Sequence, residues 1–258
     1  MGISEVLAVA LAALAALFAA AWLAGREKLK RIKAKSIPGA VRSVPVWELD
    51  PLFAVTPTGP SRDTEVAHIA AVKVEGGVSD LESWILCNLA KRARGVFEFG
   101  TATGKTAYLM ARNAPQAKVV TLTLAPDQAR SGAHGRGDDA ASIEAARRES
   151  AFETFVYSGS EVESRIEQHF GDSKAFDETP YAGAMDLIFI DGDHTESYVR
   201  ADTEKALRML APGGWLLWHD YRGRHTAPGV WRYLNQLAGT MPLTHIQGTA
   251  LVAYRRVS

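Results

Sequence analysis

One cysteine, Cys87, stands in 258 residues, and that scarcity excludes both an internal disulfide and a thiolate metal cluster. Cys87 falls in an apolar helical pattern, where a lone thiol reads as a small buried hydrophobe. Net charge is lacking too. The 29 Lys and Arg balance 29 Asp and Glu, so there is no overall electrostatic case for nucleic-acid binding. No internal repeat is present, nor any low-complexity tract beyond an alanine-rich N-terminus. What is left is an ordinary globular composition, 47% apolar and 22% charged, with room for one α/β domain and an appendage.

The appendage is N-terminal. Residues 6–25 carry no charge, a run long enough to cross a bilayer core as a helix at ~1.5 Å per residue. Arg26, Lys28, Lys30, Arg31, Lys33 and Lys35 follow at once, and only Glu5 is charged before it. That asymmetry keeps the basic flank and everything after it on the cytoplasmic side of the membrane. A cleaved signal peptide carries its positive charge before the apolar run rather than after it, although Ala19 to Ala21 resemble a cleavage site. An alanine-rich soluble helix is the other competing reading. The expected organisation is a single-pass anchor over 1–25, a basic and proline-rich linker over 26–62, and the main domain over 63–258. Pro38, Pro45, Pro51, Pro57 and Pro60 mark the linker.

The main domain is organised around Val96-Phe-Glu-Phe-Gly-Thr-Ala-Thr-Gly-Lys-Thr106. A short apolar run ends in a carboxylate, then comes a glycine-rich turn, then a helical segment from Ala107 to Asn113. Such a strand–turn–helix holds anionic or nucleotide-like ligands in α/β sheets. A phosphate-cradling loop, G-x-x-x-x-G-K-[ST], fails because Phe99 stands where its first glycine belongs. The dinucleotide fingerprint G-x-G-x-x-G fails at Ala102 and Lys105. Glu98, Gly100 and Gly104 instead keep E-x-G-x-x-x-G spacing.

Before this stretch, Ser79 and Glu82 form an S-x-x-E capping box for a helix carrying Leu81, Trp84, Ile85 and Leu89. After it, strand and helix alternate. Lys118 to Leu124 reads as a strand, Glu161 to Gln168 as a helix, Met185 to Ile190 as a strand and Ser197 to Leu210 as a helix. Trp215 to Trp218 is a further strand, and Thr244 to Gln247 with Thr249 to Arg255 form a pair around Gly248. Apolar runs separated by helices indicate a parallel sheet covered on both faces. Residues 127–150, with several Gly and Asp, read as a mobile insertion ending in a helix from Ala140 to Glu149. Asp202 and Glu204 on the outer helix read as solvated or paired with Arg200 and Arg208.

Three further motifs follow in order: Phe189-Ile-Asp-Gly-Asp-His194, Leu210-Ala-Pro-Gly-Gly214 and Leu217-Trp-His-Asp-Tyr221. With Glu98-x-Gly100 they strongly resemble the class I S-adenosylmethionine-dependent methyltransferases, in the O-methyltransferase-like branch with I-D-G-x-H and H-D motifs. The resemblance runs from about residue 76 to 256. It implies a Rossmann-like, doubly wound, mostly parallel α/β sheet of seven strands with an antiparallel final strand. It also implies S-adenosyl-L-methionine as cofactor, held by Gly77, Glu98, Gly100, Thr101, Gly104, Thr123, Asp172, Ser173 and Asp191. Thr123 stands where the family usually has an acid for the ribose hydroxyls.

The resemblance places the chemistry at Asp191, His194, His219 and Asp220, and three readings stay open. Asp191, His219 and Asp220 hold Mg²⁺, which activates an acceptor hydroxyl; or His194 or His219 acts as a metal-free base; or the histidines merely cap backbone. His219 departs from the acid that the metal enzymes more often carry. Arg222, Arg224 and His225, in the loop after this motif, either grip an anionic acceptor or are simply exposed. The implied activity is O-methylation of a small-molecule or glycan-type acceptor by a membrane-tethered enzyme that binds no nucleic acid. The alternatives are a tethered protein that keeps the fold without turnover, which Thr123 raises, and a nucleotide-binding NTPase.

Overall fold

The computed structural model describes residues 2, 15–19, 22, 39–71, 77–125 and 134–257. The chain divides into two units, 1–38 and 39–258. Of the first, residues 15–19 are helical, with Leu17, Phe18 and Trp22 exposed. The anchor expected over 1–25 lies largely outside the described residues. Among the described residues no helix is long and apolar enough to cross a membrane.

The second unit opens with β1 (Arg42–Val44) and a small hairpin of β2 (Val55–Thr56) and β3 (Gly59–Pro60). Helix α1 (Asp80–Ala90) follows, started by the Ser79–Glu82 capping box with both reciprocal bonds made. Next come β4 (Gly95–Phe99), α2 (Lys105–Asn113), β5 (Lys118–Thr123), α3 (Ala140–Glu149) and β6 (Ile166–Phe170). The last third holds β7 (Met185–Ile190), α4 (Glu196–Met209), β8 (Leu210–Trp218), α5 (Pro228–Leu237), β9 (Thr244–Ile246) and β10 (Val252–Arg255).

Eight strands form one sheet in the order β1-β9-β10-β8-β7-β4-β5-β6. β4 to β8 pair in parallel, and β10 runs antiparallel to both β8 and β9. This is the expected seven-stranded sheet plus one. The extra strand comes from the stretch read as linker, where β1 pairs with the edge of β9 and buries Val44. β4 and β7 lie at the centre, and their Phe97, Phe99, Ile188 and Phe189 are buried, as strands covered on both faces require.

The helix expected over Glu161 to Gln168 is instead a 3₁₀ turn (Glu163–Arg165) running into β6. Five residues of parallel register with β5 outweigh the helical preference of Glu and Gln there. Helix α5, which the sequence reading passed over, starts with Pro228 in its first turn and buries Val230, Tyr233 and Leu234. The described part of the 127–150 insertion is mainly α3, capped by Asp139 and packed through Ser142 and Ala146.

The chain steps outward from β4 to β5 to β6, then returns to the other side of β4 as β7. The strand order therefore reverses between β4 and β7. In open parallel sheets, ligands bind outside the carboxyl ends of the strands at this point.

Candidate active site

A cleft opens there, over the carboxyl ends of β4 to β7. Phe99, Gly100, Thr123, Ser173 and Asp191 line it from the strand ends, Glu149 from α3, and Asp202 from α4. Gly100 sits at φ +98°, and a Cβ there would collide with the Asp191 carbonyl and lie 2.8 Å from Gly192 Cα. Only glycine lets the β4 and β7 tips approach this closely. Gly104, at φ +75°, turns the chain into α2. At the start of that helix Lys105 is buried, with Nζ unpartnered among the described residues.

Of the expected cofactor residues, Gly100, Thr123, Ser173 and Asp191 line the cleft. Glu98 lies beneath it, 1% exposed, accepting a 2.7 Å hydrogen bond from Thr121, whose hydroxyl is 2.8 Å from that of Thr101. Asp172 turns away to accept from the Tyr198 hydroxyl at 3.0 Å and the Lys174 amide at 2.9 Å. Gly77 lies half-buried just ahead of α1.

Burial pushes the Glu98 carboxyl up to about 8, above its ordinary value of 4.5, against the Thr121 hydrogen bond. A raised carboxyl contributes its full stability below 4.5 and loses it as pH climbs through 8. Glu98→Gln removes that titration. The melting temperature of the variant, relative to wild type, is expected to be higher at pH 8.5 than at pH 5 by thermal denaturation; an equal difference at both refutes it.

The β7 and β8 tips bring Asp191, His219 and Asp220 together, with one ligand atom of each within 4.8 Å of the others. His219 is fully buried, its Nδ1 2.8 Å from Asp191 Oδ1 and its Nε2 3.4 Å from Glu82 Oε2. Glu82, read from sequence only as a capping residue, also accepts from the Ala250 amide at 2.6 Å. Asp220 adopts φ +57°, an uncommon backbone for a residue other than glycine. Its Oδ1 is 2.7 Å from Arg222 Nε. Its Oδ2 is 2.7 Å from His194 Nε2, an ion-pair contact outside hydrogen-bond alignment.

Burial alone would lower the pKa of both histidines. For His219, Asp191 and Asp220 outweigh it and raise the imidazole well above its usual value. For His194, Asp220 does the same and lifts it to about 9. Burial would raise Glu82, but His219 prevails and holds it down at about 2. Asp220 is likewise held low by His194 and His219.

The expected Mg²⁺ ligands are thus gathered closely enough to hold a cation, and in this arrangement they pair with protein groups. His219 Nδ1 lies 2.8 Å from Asp191 and 3.6 Å from Asp220, so an imidazolium already provides the positive charge between them. Both oxygens of Asp220 face His194 and Arg222, whereas Mg²⁺ takes near-octahedral oxygen donors and retains waters.

Asp202 corrects the sequence reading: it is buried rather than solvated. On α4 it shares the inner face with Tyr198, Val199, Ala206 and Met209, one turn after Tyr198. Arg200 pairs with Glu196 instead. His134 of the insertion stretch reaches Asp193 Oδ2 at 3.0 Å, a contact with no motif to announce it. Arg224 and His225 are exposed and contact each other at 3.0 Å.

A doubly wound sheet with a cleft at its reversal point and acids on the adjoining strand tips is a Rossmann-like ligand-binding architecture, the arrangement of the methyltransferase fold. A family model described as "Methyltransferase domain" matches residues 97–221, from β4 to just past Asp220. Over that stretch, just under half of its length, the chain is similar to the methyltransferase family.

Podospora anserina methyltransferase PaMTH1, solved with S-adenosylhomocysteine, is similar over 71% of this chain and 81% of its own, at 17% identity and TM-score 0.50. A provisionally assigned caffeoyl-CoA O-methyltransferase from Staphylococcus aureus is similar over 70% and 85%, at 14% identity and TM-score 0.51. Both likenesses are of fold. Protein y4gI of Sinorhizobium fredii is 37% identical over 59 residues, which are 23% of this chain and 6% of that relative's length.

Proposed function

We propose that the protein transfers the methyl group of S-adenosylmethionine to a hydroxyl oxygen of a small-molecule or glycan-type acceptor, with His194 as the general base. The observation that carries this reading is the His194–Asp220 pair beside the cofactor cleft, with His194 16% exposed and His219 fully enclosed. The cofactor fits the cleft in kind. Gly100 gives the close backbone approach, and Thr123, Ser173 and Asp191 would line it. The start of α2, with Lys105 beside it, suits the carboxylate of the methionine portion.

S-adenosylmethionine supplies an electrophilic sulfonium methyl when bound. The protein's part is alignment and proton removal. Asp220 orients His194 and stabilises its protonated form; His219, clamped between Asp191 and Glu82, fixes the β7 and β8 tips relative to α1. Arg222 neutralises the second oxygen of Asp220.

The test is transfer of labelled methyl from S-adenosylmethionine to a panel of hydroxylated acceptors. Turnover is expected to be unchanged by EDTA. Loss of turnover in chelator, restored by Mg²⁺, would replace His194 with a metal at Asp191 and Asp220. A fold retained without turnover is the second reading, which Thr123 in place of an acid favours. Binding of S-adenosylhomocysteine with no transfer to any acceptor would establish it.

We further propose that the N-terminal segment tethers the protein to a membrane with the catalytic domain on the cytoplasmic side. The uncharged run 6–25 and the basic residues after it support this. The full chain is expected to stay with membranes through an alkaline wash; release into the supernatant refutes the tether.

A further inference from the structure

The cleft has two polar ends. At one, Glu149 lies within electrostatic reach of His194, Asp191 and Asp220. At the other, Asp202 lies within reach of Ser173, Asp193, Asp172 and Lys174. Phe99, Leu122, Leu124 and Ala146 give the walls an apolar character.

At the second end the acids differ in one respect. Both oxygens of Asp172 are engaged, by the Lys174 amide and the Tyr198 hydroxyl. Both oxygens of Asp193 are engaged, by the Thr195 amide at 2.7 Å and by His134. Asp202 is 1% exposed and lines the cleft, yet its Oδ1 has no hydrogen-bond partner among the described residues. The nearby Lys174 ammonium is committed to Ser197 at 2.8 Å and to the Tyr198 ring. Burying an acceptor without its donor costs about 1–3 kcal/mol, so such a group calls for a partner that arrives with a ligand.

S-adenosylmethionine has a matching asymmetry. Its reactive methyl must meet the His194–Asp220 end, which leaves its purine for the other. The purine carries one exocyclic amino group, an N–H donor, attached to a flat ring suited to apolar walls. We propose that Asp202 reads the purine of the cofactor, its free carboxyl oxygen accepting the hydrogen bond of the exocyclic amine. Burial, aided by Asp193 and Asp172, raises this carboxyl to about 7 against the Ser173 hydrogen bond, so its protonated fraction has an O–H to offer the adjacent ring nitrogen. The inference rests on the methyltransferase reading above. It assigns purine recognition to a helix residue behind the β7 tip.

The experiment is titration calorimetry on the full chain with S-adenosylhomocysteine and with its analogue bearing hydrogen in place of the 6-amino group. Wild type is expected to prefer the amino form by roughly 10- to 100-fold, the range for a hydrogen bond to a charged group. Asp202→Leu is expected to bring the two ligands within about threefold, while its ligand-free melting temperature holds or rises because an unpartnered carboxyl has gone. Asp202→Asn keeps a weaker, neutral acceptor and is expected to fall between them. If Asp202→Leu does not fold, the Asp202→Asn ratio decides: a ratio equal to wild type overturns the proposal. An undiminished preference in Asp202→Leu, or no preference in wild type, also overturns it while leaving the methyltransferase reading intact. Failure of wild type to bind either ligand overturns both.

Discussion

Gly100→Ala is expected to weaken S-adenosylhomocysteine binding by at least about 100-fold. The added Cβ would collide with the Asp191 carbonyl oxygen and lie 2.5 Å from its carbon. These are backbone atoms at the end of a ladder that pairs Val96 with Leu187 through to Phe99 with Ile190. They can move away only if the β4 and β7 tips separate, and that separation deforms the cleft where the sheet order reverses. The positive φ adds roughly 1–2 kcal/mol of strain and the overpacking about 1–3 kcal/mol. At about 2–4 °C per kcal/mol for a domain of this size, the melting temperature should fall by roughly 4–20 °C. Gly59→Ala is the control. It shares the backbone strain at φ +111° but meets nothing within 4 Å, in a hairpin away from the cleft. Its melting temperature should drop slightly and its affinity should not change. Calorimetry and thermal denaturation of both variants decide the matter: a Gly100→Ala protein with affinity within threefold of wild type would remove Gly100 from the cofactor site.

The strand tips were legible because their chemistry is local. Glu98-x-Gly100, Asp191-Gly-Asp-His194 and His219-Asp220 each end a continuous apolar run, so the sequence itself says which end of the sheet they occupy. Direction was less legible. Glu98 looks like a ligand, yet its side chain turns under the sheet surface to Thr121, since adjacent strand residues face opposite ways. Asp202 and Glu204 look alike in sequence, but two residues are about 200° apart on a helix, and the turn begun at Tyr198 takes Asp202 inward. Glu82 was masked by its own local role: the capping box explains it fully until the chain returns at Ala250 and His219 to use the same carboxylate. β1 is three residues long, too short for any alternation to register, and only the free edge of β9 makes it a strand.

His194→Gln is expected to lower kcat by about 10²- to 10⁴-fold, the usual range for a lost general base. Affinity for S-adenosylhomocysteine should stay within about threefold, because the imidazole lies against Asp220 and is not among the groups lining the cofactor cleft. The pH dependence separates this role from a structural one. With His194 at about 9, most of the free enzyme carries the proton at neutral pH, so kcat/KM should rise with pH until it levels near that value. In Asp220→Asn the carboxylate that raises His194 is gone, so the rising limb should shift toward lower pH even though the rate falls. The same substitution at a merely structural pair would reduce the rate without moving the limb. His219→Gln should behave differently from His194→Gln. It leaves Asp191 and Glu82 facing each other without the cation between them, and two buried carboxylates in that position cost stability as well as rate. A kcat in His194→Gln within threefold of wild type, with an unchanged pH profile, would take the proton transfer away from His194 and return it to a metal or to the acceptor's own acidity.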